Sequence, residues 1–273
     1  MSKPPLRASL AALALVFAAA TAGARTLEAL PPADEIFPKL LAAPKQFQFG
    51  KAHYNVGGRT LTDLSLGHSW GLLRGRAGDQ LWLWQWDARA MALSRWAGGT
   101  LEAADFLGAL PVSVRRDDIS FTGSLFHESS HLGDDHIRRT GRAGQRTNAT
   151  GLRALAAIEP WTWLRAYGGP SFLLDTAPTP KRWALQTGLE VMSEDLRWAK
   201  NFPVRAYAAE DLQFPERVGY NPNSRLAAGV KIGWKDSRKA MRIQAGYYSG
   251  HSYFGQFQAD REHFADLSFI LEL

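Results

Sequence analysis

Alternation with a period of two dominates the chain. Leu226, Ala228, Val230, Ile232 and Trp234 alternate with Arg225, Gly229, Lys231 and Lys235. Met241, Ile243, Ala245 and Tyr247 alternate with Arg242 and Gln244. Leu267, Phe269, Leu271 and Leu273 alternate with Asp266, Ser268 and Glu272. Such alternation places apolar side chains on one face of a strand and polar ones on the other. About twelve such segments follow one another, near 46–54, 61–76, 79–94, 102–116, 118–132, 147–160, 161–174, 181–194, 202–215, 224–235, 240–252 and 262–273. An even number of strands suits a single-chain antiparallel barrel, as does alternation between short turns at one end and longer loops at the other. Tight turns are expected at Ala77-Gly78, Arg116-Asp117, Pro160 and Asp236-Ser237. Longer connections are expected at 55–60, 95–101, 133–146, 175–180, 216–223 and 253–261, with 195–201 long where a short turn belongs.

The face opposite the apolar one carries charges of both signs: Arg89, Arg115, Glu128, Arg153, Glu159, Arg165, Glu190, Arg205 and Lys231. A soluble barrel fills its inside with apolar groups or a ligand. A membrane barrel turns its apolar face to lipid and its polar face inward. The expected fold is therefore all-β: a transmembrane antiparallel β-barrel of about 12 strands with a salt-bridged, plugged lumen. A secreted β-sandwich or lipocalin-like barrel is the soluble alternative.

The first residues read differently. Lys3 and Arg7 form a basic start, Ala8 to Ala20 is apolar, and Ala22-Gly23-Ala24 supplies the small-x-small pattern of a cleavage site. Residues 1–24 are thus expected to be a signal peptide, cut before Arg25. Their apolar run is too short to span a membrane as a helix. Residues 25–45 hold Pro31, Pro32, Pro38 and Pro44, which break regular structure. They are expected to form a short periplasmic N-terminal segment, with a helix around Asp34 to Leu41 packed at the barrel mouth. The barrel itself is expected over 46–273, in the outer membrane of a Gram-negative bacterium.

Composition sharpens this picture. The absence of cysteine excludes disulfides and thiol chemistry, and a net charge of +6 favours anionic partners. In an exported chain those are membrane lipids and lipopolysaccharide; no nucleic-acid motif is present. Ten tryptophans fit aromatic belts at membrane interfaces and equally fit a core, with Trp82, Trp84 and Trp86 expected as a lipid-facing stripe.

One string carries candidate chemistry: Phe126-His127-Glu128-Ser129-Ser130-His131-Leu132-Gly133-Asp134-Asp135. On the fifth strand Ile119, Phe121, Leu125, His127 and Ser129 share the lipid face, while Ser120, Thr122, Ser124, Phe126 and Glu128 point inward. From Ile119 to Ser129 the strand runs roughly 33 Å. Tilted by about 40°, it rises roughly 25 Å, close to the height of the apolar band. Ser129 then reaches the interface where lipid ester bonds lie. Asn148 starts the next strand at the same rim and on the same face. Serine needs an adjacent base, and an amide oxygen can orient that base. The candidate roles are Ser129 nucleophile, His127 general base and Asn148 orienter, with the Ser130 N–H at the oxyanion. The alternative is a polar rim where the strand leaves the membrane. Arg138, Arg139, Arg142 and Arg146 suit lipopolysaccharide phosphates or a solvated loop. No cofactor is firmly indicated and calcium stays open, with Asp134 and Asp135 a thin start for a site; no zinc spacing appears.

His-x-Ser on an outward barrel face, with a polar third member on the next strand, resembles outer-membrane phospholipase A. The lipid A deacylase barrels, with an acidic third member, are similar. The resemblance implies a twelve-stranded serine acyl-ester hydrolase using calcium. It maps His127 and Ser129 onto the catalytic pair and Asn148 onto the third residue. Ser130-His131 stands where the phospholipase has Asn-Gly, and Asn148 lies several positions further along than the family spacing. Ser129-Ser130-His131-Leu132-Gly133-Asp134, with Phe37-Pro38-Lys39-Leu40 and Arg165-Ala166-Tyr167-Gly168-Gly169, also resembles a bacterial family of unknown function. Two classes of function follow: a lipid hydrolase of the outer leaflet, or a non-enzymatic barrel that is structural or a narrow conduit. A homodimer that gates a lipid-facing site is left open.

Overall fold

A computed structural model describes residues 27–31, 36–77, 82–196, 202–234 and 239–273. The expected signal peptide and the turn residues Gly78, Asp236 and Ser237 lie outside them. Among the described residues the strands are β1 (Leu27–Ala29), β2 (Phe49–Val56), β3 (Arg59–Ala77), β4 (Trp82–Ala97), β5 (Thr100–Arg116), β6 (Ile119–Leu132), β7 (Thr147–Trp161), β8 (Leu164–Ala177), β9 (Trp183–Met192), β10 (Val204–Pro215), β11 (Asn223–Gly233), β12 (Ala240–His251) and β13 (Arg261–Glu272). Each strand from β2 to β13 pairs antiparallel with the next, and β13 pairs back onto β2, so twelve strands close a barrel. Closure pairs β2 and β13, which would otherwise be the free edges of the twelve-stranded sheet. The thirteenth strand, β1, lies beside β3 with Leu27 opposite Gly75, continuing the wall past the end of the short β2.

Four local expectations are corrected. The β2–β3 and β4–β5 connections are two-residue turns, Gly57-Gly58 and Gly98-Gly99, not longer loops; all four glycines have positive φ, between 54° and 83°. Two successive left-handed residues make the type I′ hairpin turn whose twist matches the strands, and glycine adopts it without strain. Pro160 lies inside β7, and the turn follows at Thr162-Trp163. The helix expected over Asp34 to Leu41 is not formed in its described part, since Ile36–Leu41 is irregular. Trp84 is buried and Trp82 and Trp86 half-buried, so they make no exposed stripe. One helix, α1 (Asp134–Thr140), interrupts the long β6–β7 loop.

The alternation sorts the two faces as expected. On β13 every second residue from Glu262 to Glu272 is buried, while Leu267 is 63% and Phe269 43% exposed on the outside. The inside is occupied. Residues 36–48 run through the lumen as a plug. Phe37 and Leu40 pack on Leu155, Ala157 and Tyr167; Leu41 and Ala42 pack on Tyr207, Ala209 and Ala227. Alanines on the wall leave the space these side chains fill. Pro38 and Pro44 keep the segment out of ladder pairing, so its backbone groups are satisfied by wall side chains instead. The Leu41 N–H donates to Glu190 Oε1 at 2.7 Å, Arg242 donates to the Leu41 carbonyl at 3.0 Å, and Arg165 donates to the Lys39 carbonyl at 2.8 Å.

At the far end the β12–β13 loop folds inward. Phe254 and Phe257 pack on Met91, Leu93 and Ala103, and the Arg95 guanidinium lies 4.4 Å over the Phe254 ring while bound to Glu262. Further pairs, Arg225–Asp266, Lys231–Glu272 and Arg165–Glu190, run along the inner wall between nearby strands. The expected salt-bridged, plugged lumen is what the interior holds.

Candidate functional site

β6 carries the candidate residues to the end of the barrel that also bears α1 and the β12–β13 loop. Its register with β7 sets Ser129 opposite Asn148 and His127 opposite Thr150. The period of two keeps all four on the outer face. Strand pairing thus brings the three expected residues to one lipid-facing rim.

Their side chains do not form a relay. His127 Nδ1 lies 2.8 Å from Thr150 Oγ1. Asn148 donates from Nδ2 to Asp175 Oδ2 at 3.2 Å, and its carbonyl accepts from Arg146 Nε at 3.2 Å. Among the described residues Ser129 makes no hydrogen bond with His127 or Asn148. Activation of a serine needs its base within hydrogen-bond reach. Two residues absent from the expected site, Thr150 and Asp175, take the positions beside histidine and asparagine. Thr150 was legible from the parity it shares with Asn148. Asp175 was not, because it joins only through the pairing of β7 with β8, where a register shift lies beside it.

The next residue belongs to the other face. Ser130 is buried; its hydroxyl donates to Asp105 and accepts the Gln256 N–H at 3.0 Å. Its carbonyl accepts from Gln256 Nε2 at 2.7 Å. Ser130 therefore anchors the inward-folded loop. Glu128 also points inward, where it binds Lys45 of the plug together with Asp105. Burial works against the charge of Lys45, but the carboxylates of Glu128 and Asp105 outweigh it and hold its pKa above the ordinary lysine value.

A family profile described as "Protein of unknown function (DUF1207)" matches residues 7–269. The chain belongs to the DUF1207 family. No curated protein matches it. Among solved structures it is similar to the β domain of the Bordetella autotransporter BrkA, at 12% identity over 83% of this chain and 97% of that one, with a TM-score of 0.46. It is also similar to a KdgM porin in complex with disordered oligogalacturonate, at 9% identity over 83% and 99% with a TM-score of 0.42. The translocator domain of the autotransporter NalP from Neisseria meningitidis aligns at 12% identity over 83% and 86%, with a TM-score of 0.38.

In this DUF1207 barrel the four loop arginines all have partners within the protein. Arg138 pairs with Asp135, Arg139 reaches Glu102 at 3.3 Å, Arg142 reaches Asp260 at 3.0 Å, and Arg146 holds Asn148. Arg142 also lies 4.9 Å over the Phe257 ring. Arg139 and Arg142 tie the β6–β7 loop to β5 and to the β12–β13 loop, while Arg138 and Arg146 make local contacts. Among the described residues no three His, Asp or Glu side chains converge on a metal position. Asp134 and Asp135 are exposed at the start of α1, with Asp135 committed to Arg138, and they do not fit a calcium site.

Proposed function

We propose that this DUF1207 protein is a plugged outer-membrane β-barrel whose role is structural or that of a narrow conduit, not that of an open pore. The plug carries this reading. Residues 36–48 fill the lumen and are held by Glu190, Arg165 and Arg242 on one side and by Asp105 and Glu128 on the other. Membrane residence is supported by the outer wall. Aliphatic and aromatic side chains are exposed all round it, from Leu66 and Phe106 to Leu189, Leu226 and Leu267. Exposed apolar surface of that extent needs a lipid solvent. Trp161 and Trp163 stack 5.4 Å apart beside the β7–β8 turn, as an interfacial anchor would. In this reading the ends bearing the tight Asp117-Asp118 and Thr162-Trp163 turns face the periplasm, and residues 1–24 are removed on export.

Conductance in planar bilayers tests the reading. The folded barrel should pass far less current than an open porin, and a large, stable single-channel conductance would overturn the plug. Amino-terminal sequencing of the outer-membrane protein should begin at Arg25.

A second reading is a serine lipid hydrolase of the phospholipase or lipid A deacylase type, with the loop arginines on lipid phosphates. The pairing of Ser129 with Asn148 at a lipid-facing rim, two residues from His127, favours it. It requires the His127 ring to leave Thr150 and turn to Ser129. Release of fatty acid from phospholipid or lipopolysaccharide, with and without calcium, decides it. Release that is lost in Ser129→Ala would establish the hydrolase.

A further inference from the structure

Beside the plug the lumen is not completely filled. A cavity of about 160 Å³ opens toward the loop end between β7, β8, β9 and the β10–β11 connection. One water needs roughly 10–15 Å³ on the same measure, so the cavity has room for a small organic solute. A second cavity of about 90 Å³ lies deeper, between plug and wall, and both share Lys45, Phe126, Glu128 and Arg153 as lining. The larger one is polar and unevenly charged. Glu128 is the one carboxylate among its described lining residues, facing Lys45, Arg153, Lys181, Arg182 and Arg217.

Most of that positive charge is already answered. Lys45 is bound to Glu128 and Asp105, Lys181 lies 3.5 Å from Glu216, and Arg182 donates to the Leu173 and Leu174 carbonyls at 3.2 and 3.0 Å. Arg153 and Arg217 are different. Among the described residues neither guanidinium makes an ion pair or a hydrogen bond; Arg153 only lies 5.3 Å from the Phe126 ring centre. Both are exposed, Arg153 on β7 and Arg217 on the β10–β11 connection, and both line the cavity. The carboxylates close enough to act on their charge are spent elsewhere. Glu128 is held by Lys45, and Asp211 accepts from Tyr167 at 2.7 Å, Gln186 at 2.6 Å and Gln213 at 2.9 Å.

A guanidinium is a fork of donors that matches a carboxylate or phosphate, and one without a protein anion keeps that fork open to a ligand. Two such groups on one open cavity converge on the same ligand chemistry. We propose that this cavity is a binding site for a soluble oxyanion, a carboxylate- or phosphate-bearing small solute that enters from the loop end and is held by Arg153 and Arg217. Gln186 and Gln213, which also line the cavity, supply amides for its neutral polar groups. Lipid head groups are excluded as the ligand, because the site lies inside the wall. The inference rests on the plugged-barrel reading, since Lys45 of the plug forms part of the cavity lining.

The test is calorimetric titration of the folded barrel in neutral detergent with inorganic phosphate, with citrate and with glucose. Phosphate or citrate should bind saturably and glucose should not; which oxyanion binds separates the two chemistries. Arg153→Met and Arg217→Met should each weaken that binding about tenfold, the size of one lost charge-assisted hydrogen bond. Arg217 sits on an exposed turn outside the strands, so Arg217→Met keeps the test open even if Arg153→Met fails to fold. Two results would overturn the site: no binding of either oxyanion up to roughly 10 mM, or equal binding by wild type and the folded variants. Conductance probes the plug separately. A conducting barrel that still binds through Arg217 would remove the plugged reading and leave the site standing.

Discussion

At the scale of single residues, close approach and charge decide what each position tolerates. Gly188 is required where the Tyr167 side chain crosses β9. A Cβ there would lie 2.2 Å from the Tyr167 ring and hydroxyl and 2.5 Å from the Glu210 carbonyl. Gly188→Ala should cost about 1–3 kcal/mol, as overpacking does, read as a lower urea midpoint for the refolded barrel. An unchanged midpoint would show that Tyr167 moves aside freely. Glu216 links two loops, accepting the Arg182 and Trp183 N–H groups at 2.9 and 3.0 Å. Those donors hold its carboxyl below the usual glutamate value. Its contribution is therefore present above the ordinary glutamate pKa and is lost as pH falls through the lower folded value. Hydrogen exchange at the Arg182 and Trp183 amides should speed up as the pH drops through that window. Glu216→Gln keeps an acceptor and should abolish the pH dependence; a variant that still follows pH would place the titration elsewhere.

At the scale of elements, the plug and the inward-folded loop depend on a few ion pairs. Lys45→Met would leave buried Asp105 and half-buried Glu128 without their cation. Breaking one partner of such a group costs about 3–5 kcal/mol. The variant should unfold at lower urea and conduct more current than the parent; a rise in neither would show that apolar packing alone retains the plug. Because its pKa is raised, Lys45 contributes fully below the ordinary lysine value, and the contribution fades only as pH rises through the higher folded value. The β12–β13 loop hangs on Arg95, which lies over Phe254 and pairs with Glu262. Arg95→Met should expose 252–260 to protease while the strands stay protected. Equal resistance to cleavage would transfer the anchoring role to Ser130 and Gln256.

At the scale of the whole molecule, a closed ring of strands separates two environments that a soluble fold would merge. Among the described residues most ion pairs lie within the lumen or at the barrel ends, while the outer wall is largely apolar. Tryptophan fluorescence of the barrel in vesicles should be quenched by brominated lipid. If quenching matched that in water, the apolar wall would not be in the membrane.

The period-two pattern was enough to set the twelve barrel strands, though not the extra strand β1, and with them the lipid and lumen faces and the mixed charge inside, because alternation is a local property of the backbone. It also placed His127, Ser129 and Asn148 on one face, since parity and strand order determine that. Where the pattern depended on loop length it misled. The double glycines at 57–58 and 98–99 looked like parts of longer loops, yet they make the tightest turns. The path of residues 36–48 was not legible at all. Prolines announced the absence of regular structure, but only the closed barrel, with alanines at 157, 209 and 227 and free hydrogen-bonding groups on its inner wall, creates the space that draws the segment in. Side-chain partners were decided later still. Thr150 and Asp175, on two different strands, lie within reach of His127 and Asn148, and lateral pairing across a sheet is written in no single segment of the chain.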